Sequence, residues 1–248
     1  MKAMILAAGL GTRLRPLTDH RPKALVEIGG RTLLEITLSR LRSSAVREVI
    51  INVHHFADMI LEFLKANNNF GMRIELSRED VLLDTGGGLK KAAWFFLGNG
   101  NSLDEPFLLH NVDVISTIDF KRIVEQHNET KALATLAVQE RESSRYLLFN
   151  GQLQLCGRRA GREHDPEIVR PSPQLQPLAF TGIHVISRRL LGRMSEDGAF
   201  SIINTYLRLA GAGENIQGFR ADEYYWRDLG KLDQVQQAAQ DYQQKLFS

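Results

Sequence analysis

The sequence has little cysteine, no long apolar run and almost no excess of either charge. Cys156 is the single cysteine among 248 residues, which excludes an intrachain disulfide and a cysteine cluster for zinc or an iron–sulfur centre. One thiol suits a reducing compartment, so we expect a cytoplasmic protein. No run approaches the roughly 20 apolar residues of a membrane span, and the short apolar start lacks a cleavage context. We therefore expect neither a signal peptide nor a membrane partner.

The charges nearly cancel. Lys and Arg total 31 and Asp and Glu total 29, which gives a formal net charge of +2. This balance argues against a protein that coats nucleic acid, and no nucleic-acid partner is predicted. Apolar residues make up 43% and charged residues 24%, both ordinary for a globular chain.

Short apolar runs alternate with longer amphipathic runs along the chain. The runs with strand character are residues 3–6, 49–53, 73–76, 107–110, 134–138 and 180–186. The runs with helical character are residues 32–43, 56–65, 89–97, 119–127, 201–209 and 232–244. This alternation predicts an α/β fold with βαβ units: a Rossmann-like, doubly wound, mainly parallel (mixed) sheet with helices on both faces. We expect one domain over residues 1–248, with an exposed insertion or loop at about 158–177, where prolines and charges are frequent.

A glycine-containing turn follows the first predicted strand, at residues 9–14 (Gly-Leu-Gly-Thr-Arg-Leu). Glycine permits positive φ, so such a turn can direct backbone N–H groups at an anion. Leu14 stands where the dinucleotide fingerprint needs its third glycine, and no Gly-Lys-Ser/Thr follows, so neither common nucleotide loop fits. The nearby cations Arg13, Arg15 and Lys23 nevertheless suit a polyphosphate.

Two longer stretches resemble a known family. They are residues 9–18 (Gly-Leu-Gly-Thr-Arg-Leu-Arg-Pro-Leu-Thr) and 22–30 (Pro-Lys-Ala-Leu-Val-Glu-Ile-Gly-Gly). Together they resemble the signature of sugar-1-phosphate nucleotidylyltransferases, in particular the short, single-domain members. The resemblance implies an enzyme that joins an NTP to a sugar 1-phosphate and releases pyrophosphate. It also implies that Arg13 and Lys23 are catalytic. The residues implied to contact the nucleotide from this loop are Ala8, Gly9, Gly11 and Thr12.

A second glycine-rich motif, Asp-Thr-Gly-Gly-Gly, occupies residues 84–88 and opens a helix. Alone it would be read as a flexible loop. In the resembled family a similar stretch lies against the base and ribose, which implies nucleotide contacts for Asp84, Thr85, Gly86 and Gly87. Asp84 stands where the family usually has Glu.

Two separated aspartates are candidate metal ligands. Asp113 follows the predicted strand at 107–110, where α/β folds place ligands, and Asp228 lies in Trp-Arg-Asp-Leu-Gly at 226–230. Alone, Asp113 would be read as a turn residue and Asp228 as a surface carboxylate. The resemblance implies that both bind Mg²⁺, a hard ion that prefers oxygen ligands.

The sequence gives fewer signals for the residues that bind the acceptor sugar 1-phosphate. Gly182 would leave room for a pyranose ring, and the resemblance implies that Asn111, Thr181 and Gly182 face the sugar; a plain buried strand explains Thr181 and Gly182 equally well. Many members carry a lysine ahead of this strand that holds the sugar phosphate, but this chain has no lysine between residues 147 and 177. The candidate substitutes are Arg158, Arg159, Arg162 and Arg170.

The base and the sugar remain open. Short length, His54-His55 and the motif at 84–88 favour UTP with an N-acetylmuramate- or hexosamine-type phosphate. Guanylyl transfer to mannose 1-phosphate comes next, and thymidylyl transfer to glucose 1-phosphate is a further alternative. A non-catalytic NDP-sugar-binding module and a dinucleotide-dependent oxidoreductase are the other classes. We expect a monomer or a small homo-oligomer.

Overall fold

A ten-stranded mixed sheet forms the centre of the protein in a computed structural model, which describes residues 1–98, 105–161 and 163–247. In chain order, the strands are β1 (Lys2–Leu6), β2 (Glu27–Ile28), β3 (Arg31–Thr32), β4 (Glu48–Val53), β5 (Arg73–Arg78), β6 (Pro106–Asn111), β7 (Val114–Ser116), β8 (Ala134–Gln139), β9 (Arg145–Phe149), β10 (Leu155–Ala160), β11 (Glu167–Ile168), β12 (Gln176–Ser187), β13 (Ile216–Arg220) and β14 (Trp226–Asp228). The pairs β2–β3 and β7–β14 lie outside the main sheet.

Parallel strands make up the centre of this sheet. β1 lies between β4 and β6 and is parallel to both, and β5 is parallel to β4 on the outer side. β12 is antiparallel to β6 and to β8, and β13 is parallel to β8. The order is β5-β4-β1-β6-β12-β8-β13, with β9, β10 and β11 attached to the first residues of β12. The predicted mixed, mainly parallel sheet is confirmed.

Helices cover both faces of the sheet because successive strand residues point to opposite sides. In β1, Ala3 and Ile5 join one apolar core while Met4 joins the other. The helices are α1 (Leu33–Ser43), α2 (Ala57–Ala66), α3 (Asp84–Lys91), α4 (Ala93–Leu97), α5 (Phe120–Thr130), α6 (Ile202–Gly211) and α7 (Leu232–Gln243). α1, α2, α5 and α7 contribute to the first core, and α3, α4 and α6 to the second. Among the described residues, no helix combines the length and apolar character needed to cross a membrane.

Local sequence explains several element ends. Thr32 caps α1, where its hydroxyl accepts from the N–H of Glu35 at 3.1 Å, the first half of a capping box.

All six predicted strands are present. The predicted helix at 89–97 begins earlier, at Asp84, and is interrupted at Ala92, so it is two short helices.

The segment 158–177 differs in part from the expected loop. Most of its described residues are exposed, but β10 runs into it, β11 pairs with β10, and β12 begins before it ends. The prolines therefore separate short strands that extend the sheet, rather than interrupting it.

Three histidines are buried and neutral. His110 on β6 and His184 on β12 lie inside the sheet, and the Nδ1 of His184 lies 2.7 Å from the hydroxyl of Tyr206. Burial lowers the pKa of each to about 3. His127 on α5, whose Nδ1 lies 2.9 Å from the hydroxyl of Thr135, has its pKa lowered by burial to about 4.

Candidate active site

The predicted site residues meet at the carboxyl ends of β1, β4 and β6. The N–H of Ala7 donates to the side-chain oxygen of Asn52, at the end of β4, at 2.7 Å. The N–H of Val112 donates to the carbonyl of Leu6 at 3.0 Å. Since parallel strands end at the same edge, the loops after β1 and β6 lie side by side.

Gly11 gives the loop after β1 its shape. Its φ is +66°, and a Cβ there would lie 3.0 Å from a methyl carbon of Thr18. The hydroxyl of Thr18 in turn donates to the carbonyl of Gly11 at 2.9 Å. Gly9, in contrast, has no heavy atom within 4 Å of a Cβ position, so its surface is open to a ligand.

The two candidate metal ligands are neighbours in space. Asp228 ends β14 and stands opposite Val114 of β7, and the N–H of Leu229 donates to the carbonyl of Asp113 at 2.8 Å. The N–H of Gly230 donates to Asp228 Oδ1 at 2.6 Å. A two-strand ladder therefore places both carboxylates at one end of the site.

The two candidate catalytic cations reach the same place. Lys23 is only 8% exposed, and its Nζ donates to Asp113 Oδ2 at 2.5 Å. The guanidinium of Arg13 packs against Gly230, where a Cβ would lie 2.8 Å from Arg13 Nη2 and 2.6 Å from Asp228 Oδ1. Lys23 thus forms an ion pair with Asp113, whereas Arg13 and Asp228 both adjoin Gly230 without an ion pair within 4.0 Å between them.

A cleft of about 310 Å³ opens beside the loop after β1. Its lining includes Ala8, Gly9, Asp84 and Thr85, four of the predicted nucleotide-contacting residues, together with Leu6, Asn52, Glu79 and Leu82. The structure therefore brings the two glycine-containing motifs to one cavity.

Gly86 and Gly87 are not among the residues that line this cleft, and their nucleotide contacts stay a prediction. Their N–H groups donate to the carbonyl of Phe200, at 2.8 and 3.3 Å. A Cβ at Gly86 would lie 2.3 Å from the ring of Phe200, and one at Gly87 would lie 2.4 Å from the carbonyl of Gly198. Close packing against the segment before α6 requires small residues at both positions, and it occupies the N–H groups of Gly86 and Gly87.

The predicted acceptor residues Asn111, Thr181 and Gly182 lie close together beside β14, but Thr181 is only 1% exposed and its hydroxyl donates to the carbonyl of Ala137 at 2.8 Å. Gly182 has a φ of +81°, and a Cβ there would lie 2.7 Å from Asn111 Nδ2. The indole N–H of Trp226 donates to the carbonyl of Thr181 at 2.8 Å. Asn111 Oδ1 is buried and has no hydrogen-bond partner among the described residues. This unpartnered amide oxygen can accept a hydrogen bond from a hydroxyl group of a ligand.

Comparison with known proteins decides the family. A sequence model of the nucleotidyl transferase family matches residues 2–149, more than half of the chain. The chain belongs to the nucleotidyl transferase family. The resemblance to sugar-1-phosphate nucleotidylyltransferases drawn from the signature is confirmed.

Relatives of this nucleotidyl transferase cover most of its length. It is 33% identical over 237 residues to an N-acetylmuramate alpha-1-phosphate uridylyltransferase of Caulobacter vibrioides, with 92% of this chain and 91% of the relative covered. It is 29% identical to a mannose-1-phosphate guanyltransferase of Yarrowia lipolytica, with 93% and 61% covered. The crystal structure of HddC from Yersinia pseudotuberculosis complexed with GMP-PN superimposes with a TM-score of 0.76 at 21% identity, covering 97% and 99%. That likeness shows the Rossmann-like fold.

This nucleotidyl transferase supplies only some of the oxygen ligands that Mg²⁺ needs. Within the described residues, no three His, Cys, Asp or Glu side chains are grouped to hold a metal. Asp113 and Asp228 each keep one carboxylate oxygen free of hydrogen bonds in that part of the chain. Two hard oxygens, completed by phosphate oxygens and water, suit the octahedral coordination of Mg²⁺. The metal role of both residues stays a prediction.

Asn52 and Glu79 are site residues that sequence reasoning missed. Glu79 is 4% exposed and accepts from Asn52 Nδ2 at 2.7 Å and from the N–H of Leu83 at 3.0 Å. His54 Nδ1 lies 2.7 Å from the carbonyl of Glu79, so this histidine braces the cleft wall. Asn52 carried the same signal as Asn111, a polar side chain at the carboxyl end of an apolar strand.

The arginines proposed to replace the missing lysine have mostly other partners. Arg158 donates to Glu167 at 2.7 Å and to Asn204 at 2.8 Å. Arg170 donates to two backbone carbonyls near the end of α6. Arg162 lies outside the described residues. Arg159 Nε and Arg170 Nη1 are buried and have no hydrogen-bond partner in the described part of the chain.

Proposed function

We propose that this nucleotidyl transferase joins UTP to a sugar 1-phosphate in the presence of Mg²⁺, giving a UDP-sugar and pyrophosphate. The observation that carries the proposal is the meeting of Asp113, Asp228, Lys23 and Arg13 at one sheet edge beside the cleft. Two carboxylates and two cations around one point are what transfer of a nucleotidyl group requires, because several negative phosphates must approach one another.

The reaction needs little proton chemistry. An oxygen of the sugar phosphate attacks the α-phosphorus of the NTP, a new P–O bond forms, and the bond to the pyrophosphate oxygen breaks. A phosphate monoester has a second pKa of about 6, so the attacking oxygen is largely ionised near neutral pH and no general base is required. Mg²⁺, when bound, neutralises charge on the phosphates that meet at the reacting phosphorus.

The protein's own groups then act by position and charge. Arg13 offers a planar fork to phosphate oxygens, and Lys23 supplies a compact positive charge close to Asp113. Gly9, Gly11 and Thr12 offer backbone N–H groups at the turn. These contacts stabilise the triphosphate and the departing pyrophosphate.

The preference for UTP is supported by relatedness. The Caulobacter relative, matched over nearly its full length, is a uridylyltransferase acting on N-acetylmuramate 1-phosphate by its name. We further propose that the protein acts in NDP-sugar biosynthesis for the cell wall, in the cytoplasm, as a monomer or a small homo-oligomer.

Guanylyl transfer to mannose 1-phosphate is the second candidate. The Yarrowia relative carries that activity in its name, although the chain spans only 61% of it. Thymidylyl transfer to glucose 1-phosphate follows. A non-catalytic NDP-sugar-binding module is disfavoured because Arg13, Lys23, Asp113 and Asp228 are all present and assembled.

The test is a matrix of nucleoside triphosphates, including UTP, GTP and dTTP, against a panel of sugar 1-phosphates with Mg²⁺. Initial pyrophosphate release is the readout, and reactions with a chelator are the control. We expect kcat/KM for UTP to exceed that for GTP by at least about tenfold, or about 1.4 kcal/mol. Equal or better use of GTP rejects uridylyl transfer in favour of guanylyl transfer. Absence of pyrophosphate with every pair leaves the binding module.

A further inference from the structure

Arg141 holds an unusual position beside the site. It follows β8, and its guanidinium carbon lies 3.6 Å from the centre of the Trp226 ring. Trp226 stands two residues before Asp228 on β14. Stacking on an aromatic face leaves the N–H groups of a guanidinium free in their own plane. The Trp226 ring therefore sets the orientation of a fork of donors.

The hydrogen bonds of Arg141 use only part of this fork. Nη2 donates to the carbonyl of Phe180 at 3.0 Å, and Nη1 makes a long contact of 3.4 Å with the carbonyl of Glu142. Nε is buried without a partner among the described residues. No carboxylate of the described residues forms an ion pair with Arg141 within 4.0 Å. A half-buried cation with spare donors is complementary to an anion from solution.

The surroundings indicate which anion this is. Trp226 donates to the carbonyl of Thr181 and Arg141 donates to that of Phe180, so Arg141 adjoins the strand residues Thr181 and Gly182, against which Asn111 packs. Burial lowers the pKa of Arg141, and attraction from Asp228 opposes this. Arg141 therefore lies beside the candidate metal ligand Asp228 and near the predicted acceptor residues. The triphosphate is proposed to bind elsewhere, at the loop after β1.

We propose that Arg141 binds the phosphate of the acceptor sugar. A guanidinium fork is matched to two oxygens of a phosphate monoester. Arg141 is the cation that stacks on Trp226, two residues before Asp228, and this contact with the strand of a candidate metal ligand favours Arg141 for the role. The inference rests on the proposed function for the identity of the acceptor.

The kinetic test compares Arg141→Gln with the surface control Arg73→Gln. Arg73 on β5 is exposed and pairs with Glu48 on β4 and Glu75 on β5. Its substitution removes the same charge at the opposite edge of the sheet. With UTP and N-acetylmuramate 1-phosphate, Arg141→Gln should raise the KM of the sugar phosphate at least about tenfold and that of UTP by less than about twofold. Added guanidinium should restore part of the activity of Arg141→Ala.

A binding test separates this proposal from the proposed function. Trp94→Phe removes the only other tryptophan, so that fluorescence reports on Trp226. N-acetylmuramate 1-phosphate should change this fluorescence, while N-acetylmuramate without the phosphate should not, and Arg141→Gln should abolish the change. That pattern supports the assignment even if no nucleotide pair releases pyrophosphate.

Two results would overturn the assignment of Arg141. One is an unchanged KM for the sugar phosphate in a folded Arg141→Gln protein. The other is an equal loss of affinity for UTP, which would move Arg141 to the triphosphate. Should Arg141→Gln fail to fold, Arg141→Lys retains the charge without the fork, and a normal KM for the sugar phosphate in that variant would refute recognition by the fork.

Discussion

Replacing Gly230 with alanine should impair catalysis without unfolding the protein. A Cβ at this position would lie 2.6 Å from Asp228 Oδ1, and ordinary contact begins at 3.4 Å, so the carboxylate must retreat by about 0.8 Å. Arg13 Nη2, at 2.8 Å, must move by about 0.6 Å. Both atoms belong to flexible side chains, and the φ of Gly230 is not positive. The change in the free energy of unfolding should therefore stay below about 1 kcal/mol.

Catalysis is more sensitive to such shifts than stability. A misplacement of about 1 Å can cost about a hundredfold in rate, so we expect kcat to fall between about tenfold and about a hundredfold. The assay pairs initial pyrophosphate release with urea unfolding. Gly192→Ala is the matched control, since a Cβ there meets nothing within 4 Å. Wild-type turnover in a folded Gly230→Ala protein would refute the placement of Arg13 and Asp228 around the reacting phosphates.

Three further changes test other parts of the structure. Asp228→Asn retains the oxygen that accepts from Gly230 but replaces the free one with an amide, so kcat should fall by at least about a hundredfold at unchanged melting temperature; a folded variant with normal turnover would contradict metal binding. Arg13→Lys should bind UTP in calorimetry yet turn over poorly, because a point charge cannot replace the fork; full activity would show that geometry is not what Arg13 contributes. Stability should fall by about 2 kcal/mol for each of His110, His184 and His127 between pH 6.5 and 5, where only the unfolded chain takes up their protons; equal urea midpoints at pH 7.5 and 5 would disprove this.

The parallel core and much of the site were predictable because their determinants are local. β1, β4 and β6 are short apolar runs that end at polar or glycine residues, and the carboxyl ends of such strands form the ligand edge of the sheet. The loop after β1 and Asp113 follow directly from this rule. Their assignment to phosphate and metal binding came from the family resemblance, and it stays a prediction.

Other features depend on contacts between distant parts of the chain. Gly86 and Gly87 pack against the segment that holds Phe200, a contact that no local pattern links to them. The orientation of the Arg141 guanidinium likewise depends on stacking against Trp226, which is far along the sequence. β7 and β14 have only three residues each, too short for periodicity to reveal, and a strand of that length exists only with its partner.

Because β7 pairs with β14, which is synthesised late, we expect activity only after the C-terminal part of the chain has been made. During synthesis the signature loop, Lys23 and Asp113 leave the ribosome well before Trp226 and Asp228. Until β14 is made, one carboxylate of the pair and the indole that supports Arg141 are both missing. Pairings between distant segments also tend to form late in folding. A nascent or C-terminally truncated chain would therefore contain the phosphate-binding turn but lack the means to use it, so incomplete copies would not consume nucleotide.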